Sequence, residues 1–374
     1  MTNTVTNGIE QSEKETLKKL IMSNFNAIED KIAYIDPGIC IELSFNSIEN
    51  NSLVNPSFVS FKLDQDWEVC TWDKLILDNT KVHNELKITH ADKIIWKNPY
   101  ITKENYLGYL TQISPFILPF LRNKTLTTIR YPEGIHGQSF YQKKCPDYAP
   151  SFIKTQELEG INYIICNDLS TLLWLGNQLA IEYHIPFQTI NSAKPTEIVI
   201  DLDPPDHSSF SLAIKAANEI KKVLESLNIV SFPKLSGSKG IQIHIPIFKD
   251  SLTYDETRLF TSFIANYLVE KFPNYFTIER MKSKRGNRLY IDYVQFAKGK
   301  TIICPYSTRG KENATVAAPL YWEEVNENLR KEDYNIPFVL NRISNNDCPM
   351  SKFFEQKNTS LINIISSIKE NVYG

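Results

Sequence analysis

The chain has 374 residues, of which 42% are hydrophobic, and its formal net charge is −2. This length is enough for two domains with hydrophobic cores, and the composition excludes a largely disordered chain. No apolar run reaches the length of a membrane span, and the first residues lack the basic and apolar regions of a secretion signal. We therefore expect a cytoplasmic protein without a membrane partner.

The charges are distributed unevenly along the chain. Residues 1–75 contain six lysines and twelve acidic residues, so this part is acidic. Residues 87–144 and residues 279–312 each contain nine lysines or arginines and only three acidic residues. If these two basic blocks converge in space, they form a surface that binds the phosphates of a nucleic acid. The alternative is a solvated, lysine-rich face, which is common on proteins.

The hydrophobic pattern predicts two domains. Apolar residues recur at helical spacing between residues 17 and 28 and alternate with polar ones at 39–45, which predicts a helix followed by short strands. The polar segment 77–87 is the expected boundary, so that the predicted domains cover residues 1–80 and 87–374.

The second domain is predicted to be α+β, because helical and strand patterns follow one another along it. Thr102 is the expected N-cap of a helix, and leucines at 172, 175 and 179 predict another helix that ends near His184. Strands are expected at residues 197–203, 241–247, 288–295 and 301–304.

The strand EIVIDLD runs into the double proline at 204–205. Because side chains alternate across a strand, Asp201 and Asp203 point to the same face at its end. Two neighbouring carboxylates repel each other unless a cation lies between them, and hard divalent metals prefer oxygen ligands. The pair therefore predicts a metal site. The alternative is a turn in which an aspartate closes the strand before the prolines.

Two further stretches offer groups that bind phosphate. Residues 236–240, SGSKG, combine two glycines with serine hydroxyls and a lysine, and such a loop can hold a triphosphate. Arg309, at the end of a predicted strand, can bind a phosphate through its guanidinium. The alternatives are an ordinary glycine-rich hairpin and a surface arginine.

Asp292 lies among apolar residues in a predicted strand. An unpaired carboxylate there would be costly, so the side chain needs a partner. A metal shared with Asp201 and Asp203 would supply one, and so would Arg285 or Arg288.

Four motifs occur in the order and roughly at the spacing of a known family: IDLDPP, KLSGSKGIQIHIPI, RLYIDYVQF and CPYSTR. With them the chain resembles the polymerase domain of bacterial ligase D, the primase-like polymerase of non-homologous end joining. The resemblance covers about residues 88–354. It implies a primase-like fold whose central, mostly antiparallel sheet is flanked by helices.

The resemblance also implies roles for the residues that match the family's motifs. Asp201, Asp203 and Asp292 match its catalytic triad, which holds two Mg²⁺ or Mn²⁺ ions. The matches to the pocket for the incoming NTP or dNTP are His184, Ser236, Lys239, Arg285, Gln295 and Arg309, and Gln242 occupies a further position of this pocket. The matches to the DNA-binding surface are Lys93, Lys103, Arg130, Phe140 and Tyr141. The two lysines are expected to hold the 5′-phosphate of the downstream strand, and one aromatic ring to stack on a base.

The sequence departs from the family at Gln242, where the usual motif has histidine. Glutamine donates hydrogen bonds but cannot carry a proton, so an acid role at this position is lost. His244, two residues on and on the same strand face, is a candidate to compensate. Without compensation, activity is expected to be reduced or absent.

The N-terminal unit is similar to the end of the OB-fold in the ligase module that accompanies this polymerase, over IDPGICIELSF and LVNPSFVSFKLDQDWEVCTW. This similarity predicts a small, β-rich, OB-like unit, a relic or a docking module. The chain contains no K-x-D-G adenylation motif, which excludes a ligase activity.

The implied function is template-dependent nucleotidyl transfer that fills short gaps at DNA double-strand breaks, with a preference for ribonucleotides. The implied partners are DNA ends with a 5′-phosphate, Ku and a separately encoded ATP-dependent DNA ligase, in the cytoplasm at the nucleoid. Two alternatives stay open. One is a primer-independent primase, and the other is a catalytically weak scaffold that binds DNA ends.

Overall fold

A computed structural model describes residues 4–29, 32–36, 38–49, 52–345 and 347–373. The chain falls into two compact units. The first is Met1–Thr80 with Ser344–Asn346, and the second is Lys81–Ile343 with Asp347–Gly374. None of the described helices is both long enough and apolar enough to cross a membrane.

The first unit consists of short elements. Its helices are α1 (Gln11–Asn24) and α2 (Trp72–Asn79), and its strands are β1 (Phe25–Glu29), β2 (Ile32–Ile35), β3 (Cys40–Ser44), β4 (Ser47–Glu49), β5 (Ser52–Val54) and β6 (Ser57–Lys62). The described strands pair two by two, β1 with β2, β3 with β6 and β4 with β5. Because no larger sheet forms among them, the OB-like architecture expected for this unit is not confirmed.

One local prediction in the first unit is wrong. The apolar pattern at 17–28 predicts a single helix, but α1 ends at Asn24, and Phe25 and Ile28 lie in β1. No described side chain of α1 is buried. Without burial of the apolar face, helical spacing alone does not decide the structure of this segment.

The second unit contains the larger sheets. Its helices are α3 (Lys103–Leu121), α4 (Leu169–Asn177), α5 (Phe210–Ser226), α6 (Tyr254–Lys271), α7 (Ile336–Ser344) and α8 (Ser360–Tyr373). Its strands are β7 (Ile94–Trp96), β8 (Ile101–Thr102), β9 (Thr127–Arg130), β10 (Phe140–Gln142), β11 (Thr155–Leu158), β12 (Ile161–Ile164), β13 (Ala180–Pro186), β14 (Glu197–Asp203), β15 (Phe232–Leu235), β16 (Ile241–Pro246), β17 (Phe276–Thr277), β18 (Leu289–Asp292) and β19 (Thr301–Ile303).

Two of these sheets contain the predicted site residues. The larger has the order β15-β16-β14-β18-β17 and is antiparallel except for the pair β17 and β18. The smaller has the order β10-β9-β13-β19 and is antiparallel throughout. With the helices around them, these sheets confirm the α+β class and the mostly antiparallel central sheet.

Burial of its apolar side chains determines which face of β14 packs against the core. Its alternate residues Ile198, Ile200 and Leu202 are completely buried, and helices α5 and α6 pack on this sheet. Asp201 and Asp203 belong to the opposite face and are half-buried. A register shift of one residue would move both carboxylates into the core, so the hydrophobic pattern sets their orientation.

Local predictions in the second unit are partly confirmed. The Thr102 side chain accepts a hydrogen bond from the Asn105 N–H and caps α3 as expected. The helix α4, however, ends at Asn177, and His184 lies within β13 and not at a helix end. Leu179 has a φ of 58°, a left-handed conformation that a helix cannot contain, and the strand begins directly after it. Asp292 is the last residue of β18 and does not lie in its middle.

Candidate active site

Strand pairing brings the three aspartates together at one end of the larger sheet. Asp201 in β14 lies directly opposite Asp292 in β18, and Asp203 lies opposite Tyr290. Opposed residues of an antiparallel pair have their Cβ atoms about 5 Å apart on the same face. The carboxylates of Asp201 and Asp292 are therefore within reach of a shared cation.

Asp201 shows the electrostatic cost of this arrangement. Burial raises its pKa, the charges of Asp203 and Asp292 add to the effect, and a hydrogen bond from Gln242 only partly opposes them, so that the pKa reaches about 7. A cation at this place would stabilise the ionised carboxylate. The charge of the site therefore fits a divalent metal.

The other two carboxylates have protein partners. Asp203 Oδ1 lies 2.9 Å from Lys239 Nζ, and its Oδ2 lies 3.6 Å from Arg285 Nη1. Asp292 Oδ1 accepts hydrogen bonds from the Gln295 N–H at 2.8 Å and from the Tyr290 hydroxyl at 3.1 Å. Arg285, one of the two arginines named as alternative partners of Asp292, thus pairs with Asp203.

No ready-made metal cage exists in the described part of the chain, because no group of three histidine, cysteine, aspartate or glutamate side chains there is arranged to hold an ion. The register and the charge of the aspartates fit a metal. Asp203 would have to exchange its contacts with Lys239 and Arg285 for the ion. The hydrogen bonds that the structure describes for Asp292, in contrast, all go to its Oδ1.

A cavity of about 260 Å³ opens beside the aspartates. Its walls come from both sheets and from the loops that follow β15, β18 and β19. The predicted site residues that line it are His184, Asp201, Asp203, Ser236, Lys239, Gln242, Gln295 and Arg309. The fold thus gathers side chains that lie up to 125 residues apart in the sequence.

The loop SGSKG presses against the end of β14. A Cβ atom on Gly240 would lie 2.2 Å from the backbone oxygen of Leu202, so only glycine fits there. Ser236 Oγ accepts from the N–H groups of Ser238 and Gly240, at 3.2 and 3.0 Å. Lys239 Nζ donates to the backbone oxygen of Pro204 at 2.9 Å. The loop therefore holds its ammonium beside Asp203, at the end of β14.

Glu182 is a site residue that the sequence prediction missed. Its side chain is only 3% exposed, and its Oε2 lies 3.1 Å from His184 Nε2 and 3.2 Å from Arg309 Nη1. Its Oε1 accepts from the Gly310 N–H and from the Tyr131 hydroxyl. Burial opposes its charge, but His184, Arg309 and Gly310 outweigh this and lower its pKa. The sequence feature that could have identified Glu182 is its position two residues before His184. In a strand this spacing places both side chains on one face.

Lys234 was also missed. It is completely buried in β15, and its Nζ donates to Gln242 Oε1 at 2.6 Å. Burial lowers its pKa to about 7.

His244 is also completely buried, and its Nδ1 lies 2.7 Å from Glu197 Oε2. Since His244 does not line the cavity, the expectation that it compensates for Gln242 is wrong.

A second cavity, of about 450 Å³, is lined by Lys93, Lys103 and Arg130. The Lys103 residue is only 4% exposed, and its Nζ donates to the backbone oxygens of Thr89 and Asn177 at 2.6 and 3.1 Å. Burial, and then the charge of Lys93, lower the pKa of Lys103. An anion in this cavity would stabilise the charged lysine.

The predicted aromatic pair lies next to this cavity. Phe140 and Tyr141 are 44% and 72% exposed on β10. The Arg130 guanidinium lies 5.3 Å from the centre of the Phe140 ring and donates from Nε to the Gln178 backbone oxygen at 2.7 Å. Phe140 therefore lies beside one of the cations of this cavity, and Tyr141, the next residue in the strand, is the more exposed of the two rings.

Comparison with known proteins identifies the family. Residues 102–350 match the family described as LigD, primase-polymerase domain. The chain belongs to the LigD primase-polymerase family. The resemblance noted in the sequence is thereby confirmed. Membership in this family implies nucleotide substrates and divalent metal ions, in agreement with the charge of the three aspartates.

Relatives of the family cover most of the chain. It is 45% identical over 350 residues to the bifunctional non-homologous end joining protein LigD of Bacillus subtilis, an alignment of 94% of this chain and 57% of that protein. It is 28% identical over 250 residues to the multifunctional non-homologous end joining protein LigD of Mycolicibacterium smegmatis, covering 65% of this chain and 33% of that one. The chain thus spans little more than half the length of the Bacillus relative.

A solved structure shares the fold. The polymerase domain from Mycobacterium tuberculosis Ligase D, in complex with DNA, aligns with a TM-score of 0.68 and 26% sequence identity. The alignment covers 74% of this chain and all of that domain.

Proposed function

We propose that this LigD-family chain is a template-dependent nucleotidyltransferase that fills short gaps at DNA double-strand breaks in non-homologous end joining. It takes NTP or dNTP and prefers ribonucleotides. The observation that carries the proposal is the strand register that sets Asp201 opposite Asp292, with Asp203 two residues on, beside a cavity lined by cationic side chains.

The three aspartates are assigned to two Mg²⁺ or Mn²⁺ ions. Bound there, such ions would activate the 3′-hydroxyl of the primer and neutralise the charge of the triphosphate. Asp201 and Asp292 offer carboxylates on one face. Asp203 would join them if its contacts with Lys239 and Arg285 opened, and the ammonium of Lys239, which lines the cavity, would then be free to bind a phosphate.

Arg309 and His184 are assigned to the triphosphate. Arg309 and His184 line the cavity, and the buried carboxylate of Glu182 holds both. Because Glu182 fixes their positions before the nucleotide arrives, less conformational freedom is lost on binding. Ser236 and Gln295 complete the wall, and Gln295 Nε2 donates to the Thr301 backbone oxygen at 2.9 Å.

The second cavity is assigned to the DNA end. Lys93, Lys103 and Arg130 would bind the 5′-phosphate of the downstream strand, and Phe140 or Tyr141 would stack on a base. Ku and a separately encoded ATP-dependent DNA ligase are the proposed partners, and the proposed location is the cytoplasm, at the nucleoid.

A gap-filling assay tests the proposal. A gapped duplex with a downstream 5′-phosphate, NTPs and Mn²⁺ should give templated extension of the primer. Asp203→Ala should abolish extension while DNA binding persists. Product from a single strand without any primer would instead identify a primase.

The contacts of Asp203 with Lys239 and Arg285 favour a second candidate, a scaffold that binds DNA ends with little catalysis. In that case the unmodified protein would bind the gapped duplex but would not extend the primer with either Mg²⁺ or Mn²⁺. This result would contradict the proposed polymerase.

A further inference from the structure

Four polar residues form one row across the larger sheet. Lys234 in β15 lies opposite Gln242 in β16, and Gln242 lies opposite Asp201 in β14. Asp201 in turn lies opposite Asp292 in β18. Because opposed residues of antiparallel strands share a face, the row leads from an ammonium through an amide to two carboxylates.

Lys234 is the buried end of this row. The residue is 0% exposed, and its Nζ donates to Gln242 Oε1 at 2.6 Å and to the Leu235 backbone oxygen at 3.3 Å. Both acceptors are neutral. Burying an ammonium with neutral acceptors is costly, and an apolar side chain would fill the same place at lower cost. The position of this lysine therefore calls for a role beyond packing.

The two ends of the row determine which way the Gln242 amide faces. An ammonium only donates hydrogen bonds, and a carboxylate only accepts them. With its oxygen bound to Lys234, the amide has its NH₂ group left for Asp201, which lies directly opposite in β14. A flipped amide would set NH₂ against the ammonium and oxygen against the carboxylate, and both contacts would be repulsive.

We propose that Lys234 and Gln242 act together as positioning residues for Asp201. The buried ammonium fixes the amide, and the amide holds the carboxylate in the orientation in which it takes a divalent cation. This inference rests on the proposed function, in which Asp201 is a metal ligand. At the position where the usual family motif has histidine, this chain thus uses an amide whose direction is set by a second residue.

The test measures the affinity of the full chain for Mn²⁺ alone, by electron paramagnetic resonance titration without DNA or nucleotide. The variants are Lys234→Met, Gln242→Met and the double variant. Each single substitution should weaken Mn²⁺ binding about 10-fold, as is common for residues that orient a metal ligand. The double variant should bind Mn²⁺ no more weakly than Gln242→Met, because the lysine acts only through the amide.

Lys124→Met is the matched control. Lys124 is also a buried lysine, but its ammonium lies 3.6 Å from Glu197 and outside the row. Its loss should lower the midpoint of thermal unfolding and leave the affinity for Mn²⁺ unchanged. If Lys234→Met fails to fold, the double variant, which removes both partners of the Lys234–Gln242 hydrogen bond together, still supports the comparison with Gln242→Met.

Three results would overturn the inference. They are a wild-type affinity for Mn²⁺ in Lys234→Met, a double variant that binds Mn²⁺ clearly more weakly than Gln242→Met, and an unmodified protein that does not bind Mn²⁺. The titration involves no reaction, so its outcome is separate from the gap-filling assay. An unmodified protein that binds Mn²⁺ but does not extend a primer would contradict the proposed function alone.

Discussion

At Asp292, one substitution can remove the charge of the side chain and keep the hydrogen bonds that it accepts from the backbone. Its Oδ1 accepts from the backbone N–H groups of Val294 and Gln295, and an asparagine oxygen can accept the same bonds. Asp292→Asn therefore removes the charge and keeps the turn. We expect templated extension to fall at least about 100-fold, because electrostatic stabilisation of the reacting groups is lost.

The measurement is the rate of single-nucleotide addition, together with DNA binding and thermal unfolding, both of which should stay at the wild-type values. Asp250→Asn is a suitable control, since Asp250 is exposed and accepts a hydrogen bond from Ser192 outside either cavity. If Asp292→Asn extended the primer at the wild-type rate, this result would contradict the role assigned to Asp292 in the reaction.

Glu182 is expected to matter for stability as well as for binding. Glu182→Ala leaves the Arg309 guanidinium without its buried carboxylate, and breaking such a pair on one side costs about 3 kcal/mol or more. The free energy of unfolding in urea should fall by this amount, and the Kd for NTP should rise. Glu225→Ala, which breaks an exposed helical pair with Lys221, should cost less than about 1 kcal/mol. Equal losses in the two variants would contradict the role given to Glu182.

At the scale of elements, the start of β14 carries a buried charge network that should appear in the pH dependence of stability. Burial opposes the charge of Glu197, but His244 and Lys124 outweigh it and lower its pKa to about 2. Within the described part of the chain, His244 Nε2 has no hydrogen-bond partner, so a neutral ring that donates from Nδ1 suits its surroundings. Burial lowers the pKa of this histidine.

Because the folded-state pKa of Glu197 is depressed, its ionised form contributes fully to stability above the ordinary value of 4.5 and loses this contribution as the pH falls towards 2. We expect the free energy of unfolding to decrease by roughly 1–3 kcal/mol over this window from this group alone. In Glu197→Gln that part of the decrease should be absent. An unchanged pH profile in this variant would show that Glu197 does not contribute.

The strands of the site could be predicted from the sequence, but their pairing could not. The apolar run before Asp201 identifies β14, and alternation assigns Asp201 and Asp203 to one face. Lys234 and Glu182 were missed because their importance depends on neighbours across the sheet or from distant loops, such as Gln242 and Arg309. Cross-strand register is a property of the folded sheet and leaves no mark at a fixed sequence spacing.

At the scale of the whole molecule, the small net charge conceals two separate cationic sites. The basic block 87–144 supplies Lys93, Lys103 and Arg130 to the second cavity, and the block 279–312 supplies Arg309 to the cavity beside the aspartates. The resemblance predicted the family from ordered motifs in the second unit. The described strands of the first unit pair two by two and do not confirm the expected OB-like architecture, so the role of this unit stays a prediction.

The second cavity leads to a prediction about the DNA end. Lys93→Ala should weaken binding of a gapped duplex with a 5′-phosphate about 5–10-fold, because one charge-assisted contact is lost. It should have little effect on the same duplex with a 5′-hydroxyl. Lys97→Ala, at an exposed lysine that does not line the cavity, is the control. An equal loss of affinity for both duplexes would assign Lys93 to general attraction of DNA.

The central claim is that three carboxylates from two paired strands gather divalent ions beside a nucleotide. A crystal structure of the protein with an NTP and Mn²⁺, with the ions located by their anomalous scattering, tests it most directly. We predict Mn²⁺ bound by Asp201, Asp203 and Asp292, with Lys239 turned from Asp203 to the triphosphate. A nucleotide complex in which Asp203 still contacts Lys239 and Arg285, and in which no ion touches Asp201 or Asp292, would contradict the claim.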